Sequence, residues 1–393
     1  MNSKSAFPQN YLEKVYEKVN LEEGETVIEQ ILLEVYFHAG VSTKELARKS
    51  LLPVPLVAAI KNEFMKAGIL VQDRGVRLTE AGSDYIEKSL GFQGINRDFY
   101  TQLFSDSKTG LEQEIGRLRQ YFNARPQVDV TIDQSKATPA TSLNRAVLCL
   151  RNHALIGKKI LCVGDDDLVS VSLGFLLKKL YANIQDCRTQ IQVVDIDGRF
   201  LEFIGEIARA EELPVVTHSI DLRQPLPSKL QQQFDCYFTD PPYTIPGLNL
   251  FLSRGISALK PKVGLPVFLS FAHKSPDFTL QIHQELQRMG LATTQVIPRF
   301  NEYEGAEIIG NTGQMIILRT TRQTRPVIGE AFNEAIYTGE LKKTLRIYQC
   351  KECGNLIKVG FGEEFTTIET VKEKGCPVCE SSVFDRVERT IIS

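Results

Sequence analysis

The chain of 393 residues is predicted to form an α/β protein whose central domain contains a Rossmann-like sheet. From about residue 156 to residue 320, short apolar runs alternate with amphipathic helical patterns, as they do where helices cover a largely parallel sheet. Three helical patterns and a hairpin pattern precede this region, and two Cys-x2-Cys pairs follow it. The hydrophobic content of 42% is sufficient for two or three domains with separate cores.

Residues 1–92 are predicted to form a winged-helix domain. The runs GETVIEQILLEVYFHAG, STKELARKS and PLVAAIKNEFMKAG have helical spacing, and ILVQDRG and VRLTEAG alternate like two short strands. Ser42 or Thr43 is the expected N-cap of the second helix, and Glu45 would complete a capping box with Ser42. Acidic residues in the first helices offset the basic side chains of the domain. We therefore favour packing or dimerisation over DNA binding for this domain.

A polar linker and helix are predicted for residues 93–127, and the Rossmann-like domain is predicted for residues 128–325. Seven apolar runs in this domain have the length and composition of strands. The last two runs have no clear helical pattern between them, which predicts a terminal hairpin. In chain order the runs are KKILCVG, QIQVVDID, LPVVTHSID, FDCYFTD, LPVFLSFA, TTQVIPRF and QMIILRT.

The overall composition argues against several classes of function. The formal net charge is −2, so the chain as a whole lacks the basic character of a nucleic-acid-binding protein. No apolar run reaches the roughly 18 residues that a membrane span requires, and the N-terminus MNSKSAFPQNYLEK lacks the apolar region of a secretory signal. We expect a cytoplasmic protein without membrane contacts. Four scattered cysteines are expected to act as small hydrophobic residues, namely Cys149, Cys162, Cys187 and Cys236.

The first predicted strand ends in Gly164, and three aspartates follow, Asp165, Asp166 and Asp167. Ligands of open α/β sheets bind beyond the carboxyl ends of the strands, so these side chains should face the ligand. A dinucleotide site would have the pattern G-x-G-x-x-G here, with backbone amides facing the pyrophosphate. Three carboxylates would instead repel a pyrophosphate. NAD and ATP are therefore disfavoured, and a cationic ligand is favoured.

Acidic residues also end the next three predicted strands. Asp195 and Asp197 end the second, Asp221 ends the third and Asp240 ends the fourth. An acid on the second strand can accept hydrogen bonds from both ribose hydroxyls, and Asp221 stands where an adenine amino group could donate to it. A single such aspartate commonly caps a helix. Acids on four strand ends would repel one another unless a cation binds between them, so we predict a cationic adenosyl ligand.

The tetrapeptide Asp240-Pro241-Pro242-Tyr243 follows the fourth strand and is common in enzymes that place an amino group beside a sulfonium. Asp240 and the Pro241 carbonyl can accept hydrogen bonds from an amine, and the prolines keep the loop extended. The ring of Tyr243 can face a sulfonium or an ammonium. The alternative is a turn that ends the strand and buries a tyrosine. Because aliphatic amines are protonated at neutral pH, the abundance of carboxylates points to a polycationic acceptor.

Five segments together resemble the branched-chain polyamine synthases, a family of aminopropyltransferases that use decarboxylated S-adenosylmethionine. The segments are ILCVGDDDLVSVSL, VVDIDGRFLEFI, DLRQPLP, FTDPPYTIPGLNLFLSRGISALK and FNEYE. The upstream segment DQSKATPATSLNRAVLCL is also similar to the family. The resemblance extends over roughly residues 10–320, including the winged-helix region, and implies a sheet of the class I methyltransferase type.

This resemblance implies two successive aminopropyl transfers to the secondary amine of spermidine, with release of methylthioadenosine, and a homodimer. The triplet Asp165–Asp167 would hold the acceptor amine and supply the base, but the sequence leaves open which aspartate takes the proton. Asp240 and Tyr243 would shape the transfer site. The other implied contacts are those of Gly164, Asp195, Asp197, Asp221 and Gln134 with the donor, and those of Asp166, Asp240, Pro241, Tyr243, Glu302 and Glu304 with the acceptor.

Residues 326–393 depart from the family pattern and are predicted to form a small zinc ribbon. Two Cys-x2-Cys pairs, each near a glycine, are typical of a structural tetrahedral zinc site without an open position for catalysis. The expected ligands are Cys350, Cys353, Cys376 and Cys379.

Two other functions fit parts of the sequence. A winged helix, the DPPY tetrapeptide and a zinc ribbon all occur in nucleic-acid enzymes, which suggests an N-methyltransferase that uses S-adenosylmethionine. A regulator that binds DNA and senses a polyamine or nucleoside is the non-enzymatic alternative. Both require positive charge where the ligand's phosphates lie, whereas the predicted crevice is lined by acids. We therefore favour the aminopropyltransferase, with nucleic acid as a less favoured partner.

Overall fold

A computed structural model describes residues 10–105, 110–305, 310–341, 344–360, 363–365 and 367–391. The chain divides into two compact units. The first unit comprises the residues up to Val128 together with Ser135–Pro241 and Leu248–Phe332. The second comprises Asp129–Gln134, Pro242–Gly247 and the residues from Asn333 onwards.

Among the described residues, the first unit begins with four helices and a small hairpin. The last three helices and the hairpin follow the predicted order, and the helix before them has no counterpart in the prediction. The Ser42 hydroxyl accepts a hydrogen bond of 3.1 Å from the Glu45 amide and so caps the third helix, as expected. An additional bridge joins Val41 to Val76 of the hairpin. The elements are α1 (Tyr11–Val19), α2 (Glu25–Phe37), α3 (Thr43–Ser50), α4 (Val54–Lys66), antiparallel β1 (Leu70–Gln72) and β2 (Val76–Leu78), and α5 (Glu80–Asp84) with a helical turn over Tyr85–Ser89.

The range predicted to contain a polar linker and a helix contains two helices, α6 (Arg97–Ser105) and α7 (Glu112–Ala124). Both helices bury apolar side chains in the main core of the first unit, because their apolar residues recur at helical spacing. Buried examples are Phe99, Tyr100, Leu103, Leu118 and Phe122.

The centre of the first unit is an eight-stranded mixed sheet. Its strand order is β3-β9-β10-β8-β7-β4-β5-β6. Strands β6, β5, β4, β7 and β8 are parallel neighbours, whereas β10 runs antiparallel to both β8 and β9. The strands are β3 (Lys136–Ala137), β4 (Lys159–Val163), β5 (Gln190–Asp195), β6 (Val215–Ser219), β7 (Cys236–Thr239), β8 (Pro266–Ala272), β9 (Leu291–Glu304) and β10 (Thr312–Thr320).

All seven predicted strands are present, and the predicted terminal hairpin is the pair β9 and β10. The short strand β3, which pairs with the far end of β9, has no counterpart in the prediction. The helices that connect the strands are α8 (Pro139–Arg151), α9 (Val169–Leu180), α10 (Gly198–Ala210), α11 (Ile245–Ala258) and α12 (Pro276–Arg288). Among the described residues, no helix is long and apolar enough to cross a membrane.

The second unit contains a three-stranded antiparallel sheet with the order β12-β11-β13. Its small core includes two of the four C-terminal cysteines and consists of Cys350, Ile357, Val359, Phe365, Val371 and Cys376. The elements are α13 (Thr338–Leu341), β11 (Thr344–Cys350), β12 (Leu356–Gly360), α14 (Ile368–Lys374) and β13 (Phe384–Ile391).

Hydrogen bonds within the second unit join segments that are far apart in sequence. The Thr244 hydroxyl donates to the Ile336 carbonyl at 2.6 Å, across a separation of 92 residues. The Thr338 amide donates to Oδ2 of Asp133 at 2.7 Å, across 205 residues. The loop that follows Asp240-Pro241 and the turn before Ser135 are therefore held by residues near the start of the C-terminal segment.

The contact of α11 with β7 leaves no room for a side chain at Gly255. A Cβ atom there would overlap the ring of Tyr237, which is completely buried. We expect Gly255→Ala to lower the free energy of unfolding by about 1–3 kcal/mol, because the ring has no space to move. The midpoint of thermal unfolding, followed by circular dichroism, measures this loss.

Gly116→Ala is the matched control. Gly116 lies in α7, and no atom lies within 4 Å of the position that a Cβ would take there. Alanine should therefore leave stability unchanged or raise it by about 0.5–1 kcal/mol. Equal midpoints for the two variants would contradict tight packing of α11 on β7.

Candidate active site

The carboxyl ends of β4 and β7 bring four of the predicted acids together around one small cavity, and Asp195 at the end of β5 lies beside it without lining it. Asp165, Asp166 and Asp167 follow β4, Asp195 ends β5, and Asp240 follows β7. Because β4 lies between β5 and β7, the cavity stands where the strand order reverses, the usual ligand site of such sheets. Its lining is Arg145, Gly164, Asp165, Asp166, Asp167, Val169, Phe238, Thr239, Asp240, Phe268, Ser270 and Met315.

Asp165 is bound to the first amides of α9. One carboxylate oxygen accepts from the Val169 amide at 2.7 Å, and the other accepts from the Ser170 amide at 3.1 Å. The side chain is buried, and this burial raises the pKa of Asp165 to about 7. Both oxygens already serve a helix start, so Asp165 supports the loop after β4.

Asp167 is bound to a cation. Its Oδ2 accepts from Nη1 of Arg145 at 2.7 Å, and its Oδ1 accepts from the Ala137 amide of β3 at 3.2 Å. Burial raises the pKa of Asp167 to about 6, although Arg145 acts in the opposite direction. This carboxylate therefore ties the loop after β4 to α8 and β3.

Asp166 has fewer partners than its two neighbours. Among the described residues, only the Ser135 amide donates to it, at 3.0 Å to Oδ2. Burial raises the pKa of Asp166 well above the usual aspartate range, and the adjacent charge of Asp167 raises it further. Asp166 is thus the triplet member with free hydrogen-bonding capacity and an increased affinity for a proton.

Arg145 is the central cation of the site and is only 2% exposed. Besides Asp167, its guanidinium donates to Oδ2 of Asp240 at 3.1 Å, to the Asn301 side-chain oxygen at 2.9 Å, and to the hydroxyls of Ser270 and Tyr303 at 3.2 Å each. The two carboxylates hold the pKa of Arg145 well above its usual range despite its burial. The positive charge is therefore permanent and fixes the acids around it.

The two oxygens of Asp240 differ sharply. Oδ2 accepts from Arg145, from the Ser270 hydroxyl at 2.8 Å and from the Tyr303 hydroxyl at 2.7 Å. Oδ1 is buried and has no hydrogen-bond partner among the described residues. A buried acceptor without a donor is costly, so Oδ1 is suited to accept a hydrogen bond from a bound ligand.

Sequence reasoning missed four members of this network, which come from α8, β8 and β9. The residues are Arg145, Ser270, Asn301 and Tyr303. A signal was present in the segment FNEYE of β9, because side chains alternate between the two faces of a strand. Asn301 and Tyr303 are buried, whereas the predicted acceptor ligands Glu302 and Glu304 are exposed on the alternate positions.

The acids of β5 have partners of their own. Asp195 is buried and accepts from the Asp165 amide at 3.0 Å and from the Asp197 amide at 2.9 Å, one bond on each oxygen. Each carboxylate oxygen can accept a second bond. Asp197 caps α10 through the Arg199 amide and pairs with the Arg199 guanidinium at 2.6 Å. Asp195 is therefore better placed for a ligand than Asp197.

The remaining predicted residues lie in loops. Asp221 follows β6, is exposed, and accepts from the Arg223 amide at 2.9 Å. Pro241 is buried in the first unit. Gln134 and Tyr243 belong to the second unit, where the Gln134 side-chain oxygen accepts from the Asp129 amide at 2.7 Å and Tyr243 is half-buried.

The four C-terminal cysteines form a cluster in the second unit. Their sulfur atoms all lie within 4.8 Å of one another, with Cys350 and Cys376 buried and Cys353 and Cys379 exposed. A backbone hydrogen bond from the Cys353 amide lowers the pKa of Cys350 to about 6, whereas the pKa of Cys379 is raised to about 12 by hydrogen bonds with the neighbouring thiols. Four sulfurs at this spacing fit a closed tetrahedral metal site.

Comparison with known proteins gives a consistent result. A family model described as the branched-chain polyamine synthase A C-terminal domain matches residues 114–371, so the likeness to the family continues beyond residue 325, where the sequence was expected to depart from it. An uncharacterised protein of Methanocaldococcus jannaschii is 38% identical over 390 residues, which is 97% of this chain and 92% of the relative. The N(4)-bis(aminopropyl)spermidine synthase of the same organism is 32% identical over 262 residues, covering 64% of this chain and 70% of the synthase.

A solved structure supports the fold. The branched-chain polyamine synthase of Thermus thermophilus, in complex with N4-aminopropylspermidine and 5′-methylthioadenosine, superimposes with a TM-score of 0.50 at 24% identity. The match covers 83% of this chain and 96% of the synthase. The likeness extends beyond the central sheet to most of the chain.

Replacement of Arg145 tests whether its positive charge balances the buried carboxylates of the site. Arg145→Met should lower the free energy of unfolding by about 3–5 kcal/mol at pH 8, because Asp167 and Asp240 would be left as buried charges without a partner. Loss of the guanidinium should raise the pKa of Asp167 further in the folded variant, so protonation of Asp167 should restore part of the stability as the pH falls. We expect a larger difference in melting temperature between wild type and variant at pH 8 than at pH 5.

Arg151→Met is the control on the same helix, where the partly buried Arg151 donates to the Leu103 carbonyl. Its effect should be small and independent of pH. If Arg145→Met lowered the melting temperature by the same amount at pH 8 and at pH 5, the proposed charge balance would be contradicted.

Proposed function

This chain belongs to the branched-chain polyamine synthase family, and we propose that it transfers aminopropyl groups from decarboxylated S-adenosylmethionine to the secondary amine N4 of spermidine. The products are methylthioadenosine and, after two transfers, N4-bis(aminopropyl)spermidine. The observation that carries this proposal is the group of acids at the strand switch point, where Asp166 and Oδ1 of Asp240 retain free acceptor capacity.

The charge of the cavity selects for a polycation. Asp165, Asp166, Asp167 and Asp240 all line it, and Arg145 is the one cation among its lining residues that the structure describes. A bound ammonium favours the ionised form of these carboxyls and is attracted by them, whereas a phosphate would be repelled. This balance supports a polyamine acceptor and argues against an amino group on a nucleic acid.

We assign the base to Asp166, because Asp165 and Asp167 use their oxygens for α9 and for Arg145. Spermidine arrives as an ammonium ion, which has no lone pair for attack. Transfer of the N4 proton to Asp166 frees the lone pair, and a raised carboxylate pKa makes this transfer less uphill. Oδ1 of Asp240 accepts a hydrogen bond from the acceptor and aims the nitrogen.

The transfer step depends on the orientation of the two substrates and requires no covalent intermediate with the enzyme. The N4 lone pair attacks the aminopropyl carbon next to sulfur, a new C–N bond forms, and the C–S bond electrons pass to sulfur. The sulfonium becomes the neutral thioether of methylthioadenosine. The tertiary ammonium product loses its proton before a second attack gives the quaternary amine, so each transfer requires one deprotonation.

The donor is proposed to lie across the ends of β4, β5 and β6. Asp195 would accept from the ribose hydroxyls through its remaining lone pairs, and Asp221 would accept from the adenine amino group. Gly164, with φ of 76°, lets the chain turn sharply after β4 beside the sulfonium. Asp197 and Gln134 are proposed to support the donor site.

The acceptor is proposed to extend from the cavity towards the loop after β7. The Pro241 carbonyl would accept from an amine, and the Tyr243 ring would face an ammonium or the sulfonium. Glu302 and Glu304 would bind the distal ammonium groups of spermidine through their exposed carboxylates. Each of these contacts would contribute little to the affinity by itself, because exposed charges are screened by solvent.

The flanking regions are proposed to have structural roles. Residues 1–92 would form a winged-helix domain that contributes to a homodimer, with nucleic acid as a less favoured partner. Residues 93–127 would connect it to the transferase domain, 128–325. In the C-terminal segment predicted as 326–393, of which residues 326–332 belong to the first unit, Cys350, Cys353, Cys376 and Cys379 would hold one structural zinc ion in a zinc ribbon.

The proposed reaction is tested by its products. Purified protein incubated with decarboxylated S-adenosylmethionine and spermidine should yield methylthioadenosine together with singly and doubly aminopropylated spermidine, identified by mass spectrometry. Asp166→Asn should lower turnover by about 10²–10⁴-fold, because an amide cannot take the proton. Binding of methylthioadenosine, measured by calorimetry, should remain within a few-fold of wild type.

Asp98→Asn, an exposed aspartate of α6, is the control for a change of charge alone and should leave turnover unchanged. Wild-type protein that forms no methylthioadenosine would overturn the proposed function. Methyl transfer from S-adenosylmethionine to RNA or DNA would instead support the N-methyltransferase alternative. Full turnover by Asp166→Asn would move the base to another residue.

Metal removal tests the role of the cysteine cluster. Purified protein should contain about one zinc ion per chain by elemental analysis, as four thiolates bind one tetrahedral ion. Cys376→Ser should lose the zinc and melt at a lower temperature, because the cluster forms much of the second unit's small core.

Cys187→Ser is the matched control, since Cys187 is a half-buried cysteine outside the cluster. Its zinc content should equal that of wild type. Metal-free protein with an unchanged melting curve would exclude a structural zinc ion.

A further inference from the structure

Arg254 is a buried cation that the reaction described above does not use. It lies in α11 and is only 1% exposed. No carboxylate forms an ion pair with it in the part of the chain that the structure describes. Its guanidinium instead donates to four main-chain carbonyls, those of Leu222 at 2.8 Å, Arg223 at 3.3 Å, Ile328 at 2.9 Å and Glu330 at 2.8 Å.

These carbonyls belong to two irregular segments that Arg254 joins to each other. The first follows β6 and the second follows β10. The Phe332 amide donates to the Arg223 carbonyl at 2.8 Å, and the Ser253 hydroxyl accepts from the Ile328 amide at 3.1 Å. Arg254 and its neighbour Ser253 therefore hold both segments against α11.

Burial of a guanidinium without a carboxylate is unfavourable, and the pKa of Arg254 is lowered by this burial. An apolar side chain of similar size would fill the space at lower cost. Such a side chain could not satisfy four carbonyls from two segments, because only arginine offers five donors in a rigid fork. An arginine at position 254 therefore indicates that the two segments must be held in a fixed geometry.

The first segment continues directly from Asp221. Oδ1 of Asp221 accepts from the Arg223 amide at 2.9 Å, and the carbonyl of the same Arg223 is held by Arg254. The direction of the Asp221 carboxylate is thus set by a turn that Arg254 holds in place.

We propose that Arg254 is a positioning residue that orients Asp221 towards the adenine amino group of the donor. This inference rests on the proposed aminopropyl transfer and on the assignment of Asp221 to adenine. It predicts an effect on the donor alone, because none of the four carbonyls belongs to a residue that lines the acid cavity.

The test compares Arg254→Met and Arg254→Lys with wild type in steady-state kinetics and in calorimetric binding of methylthioadenosine. Arg254→Met should raise KM for the donor and Kd for methylthioadenosine about tenfold, the equivalent of one well-placed hydrogen bond. KM for spermidine should change less than about twofold. Arg254→Lys, which keeps the charge and can bind some of the carbonyls, should give an intermediate loss.

A double-mutant cycle tests whether Arg254 acts through Asp221. Asp221→Ala should weaken methylthioadenosine binding by itself, and adding Arg254→Met should weaken it little further. Fully additive losses would overturn the inference. Equal increases of KM for donor and acceptor would also overturn it, since general loosening of the fold would affect both substrates.

Arg319→Met provides the matched control. Arg319 of β10 also binds a main-chain carbonyl, that of Gly264 at 3.2 Å, and the side chain of Asn152 at 2.7 Å. Its replacement should lower the melting temperature without a selective effect on the donor. Wild-type protein that fails to bind methylthioadenosine would refute the proposed function, whereas wild-type binding with unchanged binding in Arg254→Met would refute only this inference.

Discussion

The buried ion network around Arg145 is the constraint on which the active-site architecture depends. One guanidinium joins the loop after β4, the loop after β7, and strands β8 and β9 through Asp167, Asp240 and three neutral side chains. Such a network is favourable only when every member is satisfied, because each unpaired buried charge costs several kcal/mol. Among the described residues, Oδ1 of Asp240 is the one buried atom of this network without a hydrogen-bond partner, and the amine is proposed to bind there.

The network also explains how three adjacent aspartates can have different roles. Asp165 is neutralised by helix amides, and Asp167 is neutralised by Arg145. Asp166 has neither form of compensation, and its proton affinity increases accordingly. Three identical side chains thus have different roles because their contacts differ. Asp165 supports the loop after β4, Asp167 binds Arg145, and Asp166 is the candidate base.

The features that could be predicted from the sequence are those that depend on residues close together in the chain. The seven strands follow from short apolar runs, the cap of α3 follows from Ser42 and Glu45, and the acids at strand ends follow from the position of each strand's last residue. The Arg145 network could not be predicted in this way, because its partners lie 22 to 158 residues away and meet only when the sheet order is known. Strand β3 was missed for a similar reason, as two residues carry no periodic signal of their own.

The second unit is assembled from three separate stretches of chain, and this has a consequence for how the protein folds. Residues near Ile336 and Thr338 find partners 92 and 205 positions earlier, in stretches whose flanking residues belong to the first unit. Closing such long loops costs entropy that is recovered only when both partners are already ordered. The C-terminal segment should therefore be the last part to consolidate, after synthesis of the whole chain. A domain boundary near residue 325 would therefore separate the C-terminal segment from two earlier stretches, Asp129–Gln134 and Pro242–Gly247, that belong to the same compact unit.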